Sequence, residues 1–300
     1  MSITVVGSLA FDAVKTPFGE RARMLGGAAT HFALSASLFD QVNVVGPVGD
    51  DFGDAELEIL GTRDTNLADV ERVAGGKTFF WSGEYHWDMN SRDTLDTQLG
   101  VFEHFEPKLS ATSRAADVLF LANIQPSLQL SVLEQMDNPR FTALDSMDLW
   151  INIARDDLVK VIERVDCVIL NDAEVRQLTG KPSLVGAANE ILAMGPSIVI
   201  AKQGEYGAVA ISADTYFSLP AFPLETVVDP TGAGDTFAGG FVGATATGAD
   251  VRSAVAYGTA VASYNVEEFG TDRVARLTRD EVDTRVAELH ALTTFDLLPA

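Results

Sequence analysis

Residues 227–241 read Val-Val-Asp-Pro-Thr-Gly-Ala-Gly-Asp-Thr-Phe-Ala-Gly-Gly-Phe. An apolar, extended stretch runs there into a glycine-rich turn, and small residues typical of a tightly packed helix continue through Thr247. Gly232 and Gly234 let the backbone turn sharply and approach a ligand without a Cβ in the way. The first turn of the new helix carries N–H groups without intrahelical partners and the positive end of the dipole, a natural seat for a phosphate. Asp235 falls at the helix start, beside that anion hole. Two readings follow for its carboxylate: a base that accepts a proton during phosphoryl transfer, or an ordinary helix-start acid offsetting the dipole. The other phosphate-binding signatures are incomplete: Gly76-Lys77-Thr78 has Glu71 where a Walker loop requires its first glycine, and the glycine spacing here does not match Gly-x-Gly-x-x-Gly.

Further polar residues cluster near the ends of apolar runs. Asn171 and Glu174 follow the run 168–170 and, three residues apart, share one face of a beginning helix. The alternative is a plain helix start capped by Asn171 or Asp172. Lys202 and Gly204, in Lys-Gln-Gly-Glu-Tyr-Gly, follow the run 198–201, where a lysine is ordinarily solvated. Asp12 and the pair Gly26-Gly27 lie near the N-terminus. Cys167 is the one cysteine, inside an apolar run, and reads as a buried structural residue in a reduced setting.

The elements that must position these residues alternate. Strands are expected at 3–7, 42–48, 118–121, 141–144, 168–170 and 198–201, with helices at 28–39, 52–60, 128–136, 153–161, 173–179 and 184–194. Strands apolar on both faces, separated by helices, predict a mainly parallel sheet covered on both sides. Beyond residue 208, two β-runs (208–212 and 216–219) precede helices near 233–247, 251–265 and 279–292. Segments 13–25 and 75–106 interrupt the pattern and read as extended. Together they would make a small accessory sheet over one end of the main one; separately, two surface hairpins. The aromatics Phe79, Phe80, Trp81, Tyr85 and Trp87 would be the core of such a lid or would stack on a base. Repeats, low-complexity tracts and linkers are absent, so residues 1–300 are expected to form one principal domain.

With 300 residues and 47% hydrophobic content, the chain can bury a sizeable core. No run of about 18 apolar residues would span a membrane, and the first residues read as a strand rather than a signal peptide; a cytoplasmic setting is expected. A formal net charge of −22 opposes nucleic acid and anionic membranes. It fits solubility or a saline cytoplasm, and it requires any anionic ligand to find a local cradle.

The string Asp229-Pro-Thr-Gly-Ala-Gly-Asp235 closely resembles the C-terminal motif of the ribokinase-like (PfkB) carbohydrate and nucleoside kinase family. Gly26-Gly27 resembles that family's N-terminal glycine pair, Asn171-Asp-Ala-Glu174 its Asn-x-x-Glu element, and Lys202 to Gly207 its nucleotide loop. The motifs stand in the family's order and cover residues 3 to 290. The resemblance implies a three-layer α/β/α sandwich with a mainly parallel central sheet and a small β-sheet lid. It implies ATP and Mg²⁺ as cofactors, Asp235 as base, and the N–H groups around Gly232, Ala233 and Gly234 as the hole for the transferred phosphoryl. Asn171, Glu174, Lys202 and Gly204 would face the nucleotide, with Glu174 holding hydrated Mg²⁺. Asp229 and Thr231 would serve a monovalent cation such as K⁺. Asp12, Gly26, Gly27 and Asn123 would hold a primary alcohol of a sugar or sugar-like substrate, and Gln125, Asn90 and Arg92 are further candidates. The alternatives are a nucleoside kinase of the same fold and a non-catalytic sugar or nucleotide sensor. A homodimer through the lid would also fit. Two departures bear on the acceptor: His31 stands where relatives often carry asparagine, and Asp145-Ser-Met-Asp148-Leu-Trp150 replaces a commoner Asp-x-Asn-x-Arg run.

Overall fold

Apolar residues on both faces of a strand demand cover on both faces, and the chain supplies it. The computed structural model describes residues 1–295. The strands are β1 (Ser2–Val6), β2 (Ala10–Thr16), β3 (Gly19–Gly26), β4 (Gln41–Val48), β5 (Thr65–Arg72), β6 (Phe79–Tyr85), β7 (Arg92–Gln98), β8 (Val118–Leu121), β9 (Phe141–Asp145), β10 (Cys167–Asn171), β11 (Ile198–Lys202), β12 (Ala208–Ile211) and β13 (Tyr216–Leu219). Nine form one sheet in the order β13-β12-β11-β10-β9-β8-β1-β4-β5. Every pairing from β11 to β5 is parallel, and the ribbon β12–β13 adds an antiparallel edge. Side chains alternate between two cores. Val118 and Phe120 point to one, with Phe32 stacked on Phe120 at 4.1 Å, while Leu119 and Leu121 point to the other.

Asp145, Asn171 and Lys202 end the neighbouring strands β9, β10 and β11. Parallel register brings them side by side, Asn171 pairing with Lys202 across the ladder. The strand order reverses beside β1, and ligands of open α/β sheets bind outside the carboxyl ends of strands at such a switch point. Polar residues missing from the apolar strands are therefore gathered at one rim.

The two interrupting segments form one small sheet, ordered β3-β2-β6-β7. Each contributes a hairpin, and the hairpins are joined by a parallel pair in which Ala10 faces Phe79 and Phe11 faces Phe80. Two independent hairpins are thus ruled out. This sheet begins at Ala10, earlier than expected, so Asp12 belongs to it. The edge strand β5 and the helix Asp148–Ile153 were not anticipated; β5 is polar and half-exposed, without the apolar run that marks its neighbours. Among the described residues no helix is long and apolar enough to cross a membrane.

Candidate active site

The glycine-rich turn is held from beneath by Asp229. Its side chain is fully buried, and its two oxygens accept the N–H groups of Thr231 and Gly270, each at 2.9 Å. Gly232 then takes φ 72°, a left-handed conformation open to glycine, and caps the helix Ala233–Ala246. A Cβ at Gly232 would lie 2.3 Å from the His31 ring. The Gly232 and Gly234 N–H groups make no protein hydrogen bond among the described residues. Ala233 departs from the expected cradle, because its N–H closes the turn onto the Pro230 carbonyl at 3.2 Å.

Asp235 sits in the first turn of that helix, which has no side-chain cap bond. Its carboxyl is pushed up to about 7 by burial and by the charge of Asp145, against the pull of Lys202 and Arg92. A partly buried carboxylate of this kind is a better proton acceptor than an exposed one. Lys202 is buried rather than solvated: Nζ lies 2.7 Å from Asp145 Oδ2. Burial works against the lysine's charge, yet Asp145, Glu174 and Asp235 prevail and hold its pKa above the ordinary value.

Asn171 and Glu174 form a capping box, Asn171 Oδ1 accepting the Glu174 N–H and Glu174 Oε2 accepting the Asn171 N–H, both at 2.8 Å. The plain helix-start reading of Asn171 therefore holds, and one oxygen of Glu174 is committed to it. The Glu174 carboxyl is nonetheless raised to about 7 by burial and by Asp145, and both residues line the cleft. Gly204 takes φ +57°, and a Cβ there would lie 2.7 Å from Asn90 Oδ1. Asn90 in turn donates to Glu205 at 3.2 Å, so the tip of the small sheet touches this loop.

On the opposite side, Asp12 reaches across Gly26, where a Cβ would sit 2.0 Å from Asp12 Oδ2. Burial first, then Asp229 and Asp235, raise the Asp12 carboxyl to about 7, while the Gly27 N–H steadies its ionised form. Gly27 itself takes φ 98°. Asn123 Oδ1 accepts the Trp150 indole N–H at 3.0 Å. Thr231 Oγ1 donates to the Tyr85 hydroxyl at 3.4 Å. The Asp229 carboxylate oxygens thus accept protein N–H groups, and the Thr231 hydroxyl faces an aromatic one. No cluster of three or more His, Cys, Asp or Glu side chains able to hold a metal exists among the described residues.

Two cavities meet here. The larger, about 1190 Å³, holds Asp12, His31, Asn123, Glu174 and Asp235 under Phe79, Trp81 and Tyr85 of the small sheet. The smaller, about 460 Å³, is lined by Phe222, Pro223, Leu224 and Val266 and is more apolar. Lys202, Gly204, Ala233 and Gly234 line both. Phe80, one step along β6, turns instead to the main core, and Trp87 is 84% exposed, so neither has the stacking place considered for it. Asp145 and Arg92 were underweighted from sequence. The signals for Asp145 were its place at a strand's carboxyl end and at the head of the run to Trp150, and Arg92 reaches the cleft because β7 crosses it.

Two cavities sharing a glycine-rich helix start, a partly buried carboxylate at its rim and a covering sheet are the features expected of a small-molecule kinase of ribokinase-like fold. The domain described as pfkB family carbohydrate kinase matches residues 3–276, and the chain belongs to that family, whose members are phosphotransferases. It is 30% identical to a cytidine kinase of Thermococcus kodakarensis over 90% of this chain and 98% of that protein. A Burkholderia thailandensis nucleoside kinase in complex with inosine superposes with a TM-score of 0.83, at 20% identity, over 97% of this chain and 98% of that one. An Arabidopsis thaliana ribokinase complexed with ribose and ATP gives 0.77 at 20% identity, over 95% and 98%.

Proposed function

We propose that this protein is a nucleoside kinase, moving the γ-phosphoryl of ATP to the hydroxymethyl group of a ribonucleoside. The observation that carries this reading is the joining of the two cavities at Lys202 and Gly234. The smaller takes the adenine end of ATP, the larger takes the acceptor, and the phosphates lie where the two meet. The larger cavity offers Asp12 for a pair of sugar hydroxyls and an apolar aromatic wall beyond it. A free sugar would leave that wall without a partner, whereas a nucleobase would cover it. The identity to a cytidine kinase supports the same choice.

In the reaction, the acceptor oxygen forms a bond to the γ-phosphorus while the bond to the bridging oxygen breaks and ADP leaves. Asp235 receives the hydroxyl proton as the new bond forms. The Gly232 and Gly234 N–H groups and the helix dipole stabilise the equatorial oxygens, and Lys202 offers its charge to the bridging side. The carboxylates of Asp145, Glu174 and Asp235 outnumber the lysine among them, a charge balance that suits a triphosphate carrying a hydrated divalent ion better than a bare triphosphate. Mg²⁺ would be held by the phosphates and, through water, by Glu174 and Asp145. When bound, it would neutralise charge on the phosphate oxygens. The small sheet excludes water from the transfer.

The test is ADP release by the purified protein with MgATP and cytidine, inosine or ribose as acceptor. A nucleoside should give the highest kcat/KM. Ribose turned over better than either nucleoside would overturn the assignment of the aromatic wall, and no acceptor-dependent release from any of the three would overturn the kinase reading.

A further inference from the structure

Phe222 forms part of the wall of the smaller cavity, and the segment that carries it, between β13 and the helix Ala233–Ala246, has neither strand nor helix to fix its side chains. What fixes this ring comes from the C-terminal helix Arg279–Thr293. The Arg285 guanidinium lies over two rings, 4.5 Å from the centre of Phe222 and 3.4 Å from that of Tyr264. Tyr264 is itself pinned, its hydroxyl donating to the Glu281 carbonyl at 3.0 Å. Arg285 Nη1 donates to Ser263 Oγ at 3.0 Å and to Glu267 Oε1 at 2.8 Å. Ser263 also lines the smaller cavity. Glu267 follows Val266, another lining residue, whose carbonyl accepts the Val228 N–H at 2.8 Å on the approach to the glycine turn. One side chain thus reaches three parts of that wall, while no residue of its own helix lines either cavity among the described residues.

These contacts use properties that only arginine has. The side chain is 13% exposed, and its Nε is buried with no acceptor among the described residues. An apolar residue would fill the same space without that cost. A lysine would keep the pair with Glu267 but has no flat, weakly hydrated face to lay on a ring. The planar cation is what the two aromatic contacts require. We propose that Arg285 is a positioning residue of the nucleotide site: it holds the Phe222 ring in place as a wall for the base of ATP, and so sets nucleotide affinity from outside the cleft. It touches neither substrate. This inference rests on the assignment of the smaller cavity to the adenine end of ATP.

The experiment measures Kd for MgATP by titration calorimetry, together with the melting temperature and KM for the best acceptor among cytidine, inosine and ribose. It compares the wild type, Arg285→Lys, Phe222→Leu and the double variant. Arg285→Lys keeps the charge, and Glu267 retains Arg273 at 3.5 Å as a partner. This variant should raise Kd for MgATP roughly 3- to 30-fold, the range a desolvated cation–π contact covers, and leave KM for the acceptor unchanged. Phe222→Leu should raise Kd as well, and adding Arg285→Lys to it should change nothing further, because the ring to be held is gone. An arginine with a purely structural role would lower the melting temperature and give the same increase in Kd with or without the ring. An unchanged Kd in Arg285→Lys, or an equal increase in the Phe222→Leu background, would overturn the inference; a raised Kd in Phe222→Leu alone would leave the cavity assignment standing. An unchanged Kd in Phe222→Leu, or no MgATP binding by the wild type, would remove both.

Discussion

Lys202 Nζ sits 2.7 Å from Asp145 Oδ2, both at the carboxyl ends of parallel strands with only β10 between them. Side-chain exposures of 17% and 6% make this a largely buried pair at the cleft wall. Removing one member of such a pair strands the other charge. Lys202→Met is expected to cost about 3–5 kcal/mol of stability, measured by urea unfolding, and to raise KM for ATP. Asp145→Asn, which keeps the lysine and a polar partner, should cost less stability.

Asp235→Asn should lower kcat by about 10²- to 10⁴-fold, the usual share of a positioned base, with KM for ATP little changed. In the proposed base role, Asp235 must be ionised in the wild type. Activity should therefore rise with pH through the region near 7, to which burial and Asp145 raise this carboxyl. Near wild-type turnover in the variant on its best acceptor would remove Asp235 from the base role.

The same carboxyl gives a stability signature of opposite direction. Its folded value stands above the ordinary 3.8, so between those limits the folded protein holds the proton more tightly than the unfolded chain. Its contribution is fully present below about 4 and is lost as pH rises through about 7. The stability of the wild type relative to Asp235→Asn should fall across that interval in urea melts at stepped pH.

The two glycines of the cradle should respond unequally. A Cβ at Gly232 meets the His31 ring at 2.3 Å on a φ of +72°, whereas one at Gly234 meets only the end of Lys202 at 3.1 Å. Gly232→Ala is expected to destabilise by at least about 1–2 kcal/mol, the cost of a left-handed alanine, plus the clash. Gly234→Ala should fold nearly normally and show its effect in KM for ATP. Thermal melts alongside kinetics separate the two.

Much of this was legible in the chain because apolar runs and small-residue helices carry strong periodic signals. The helices over 233–246 and 251–265 and the strands that end at Asp145, Asn171 and Lys202 follow from those runs. The Asp229-to-Asp235 string marked the glycine turn and the start of the helix that Gly232 caps. Pairwise chemistry was not legible. That Lys202 would meet Asp145, or His31 would rest on Gly232, depends on register between segments far apart in sequence, and no local pattern encodes it. Capping was the exception. Asn171 with Glu174 has the spacing of a capping box, and the structure forms one.

The parallel pair that joins the hairpins of the small sheet also fixes an order of assembly. Ala10 and Phe79 face one another across it, and all of β3, β4 and β5 with their connections lie between them in the chain. Closing so long a loop costs entropy before any contact rewards it. The β2–β6 ladder should therefore gain protection late in pulsed hydrogen exchange during refolding, after the β1–β4 pair. Asp12 rides on that ladder, so its placement depends on two hairpins far apart in the chain having met.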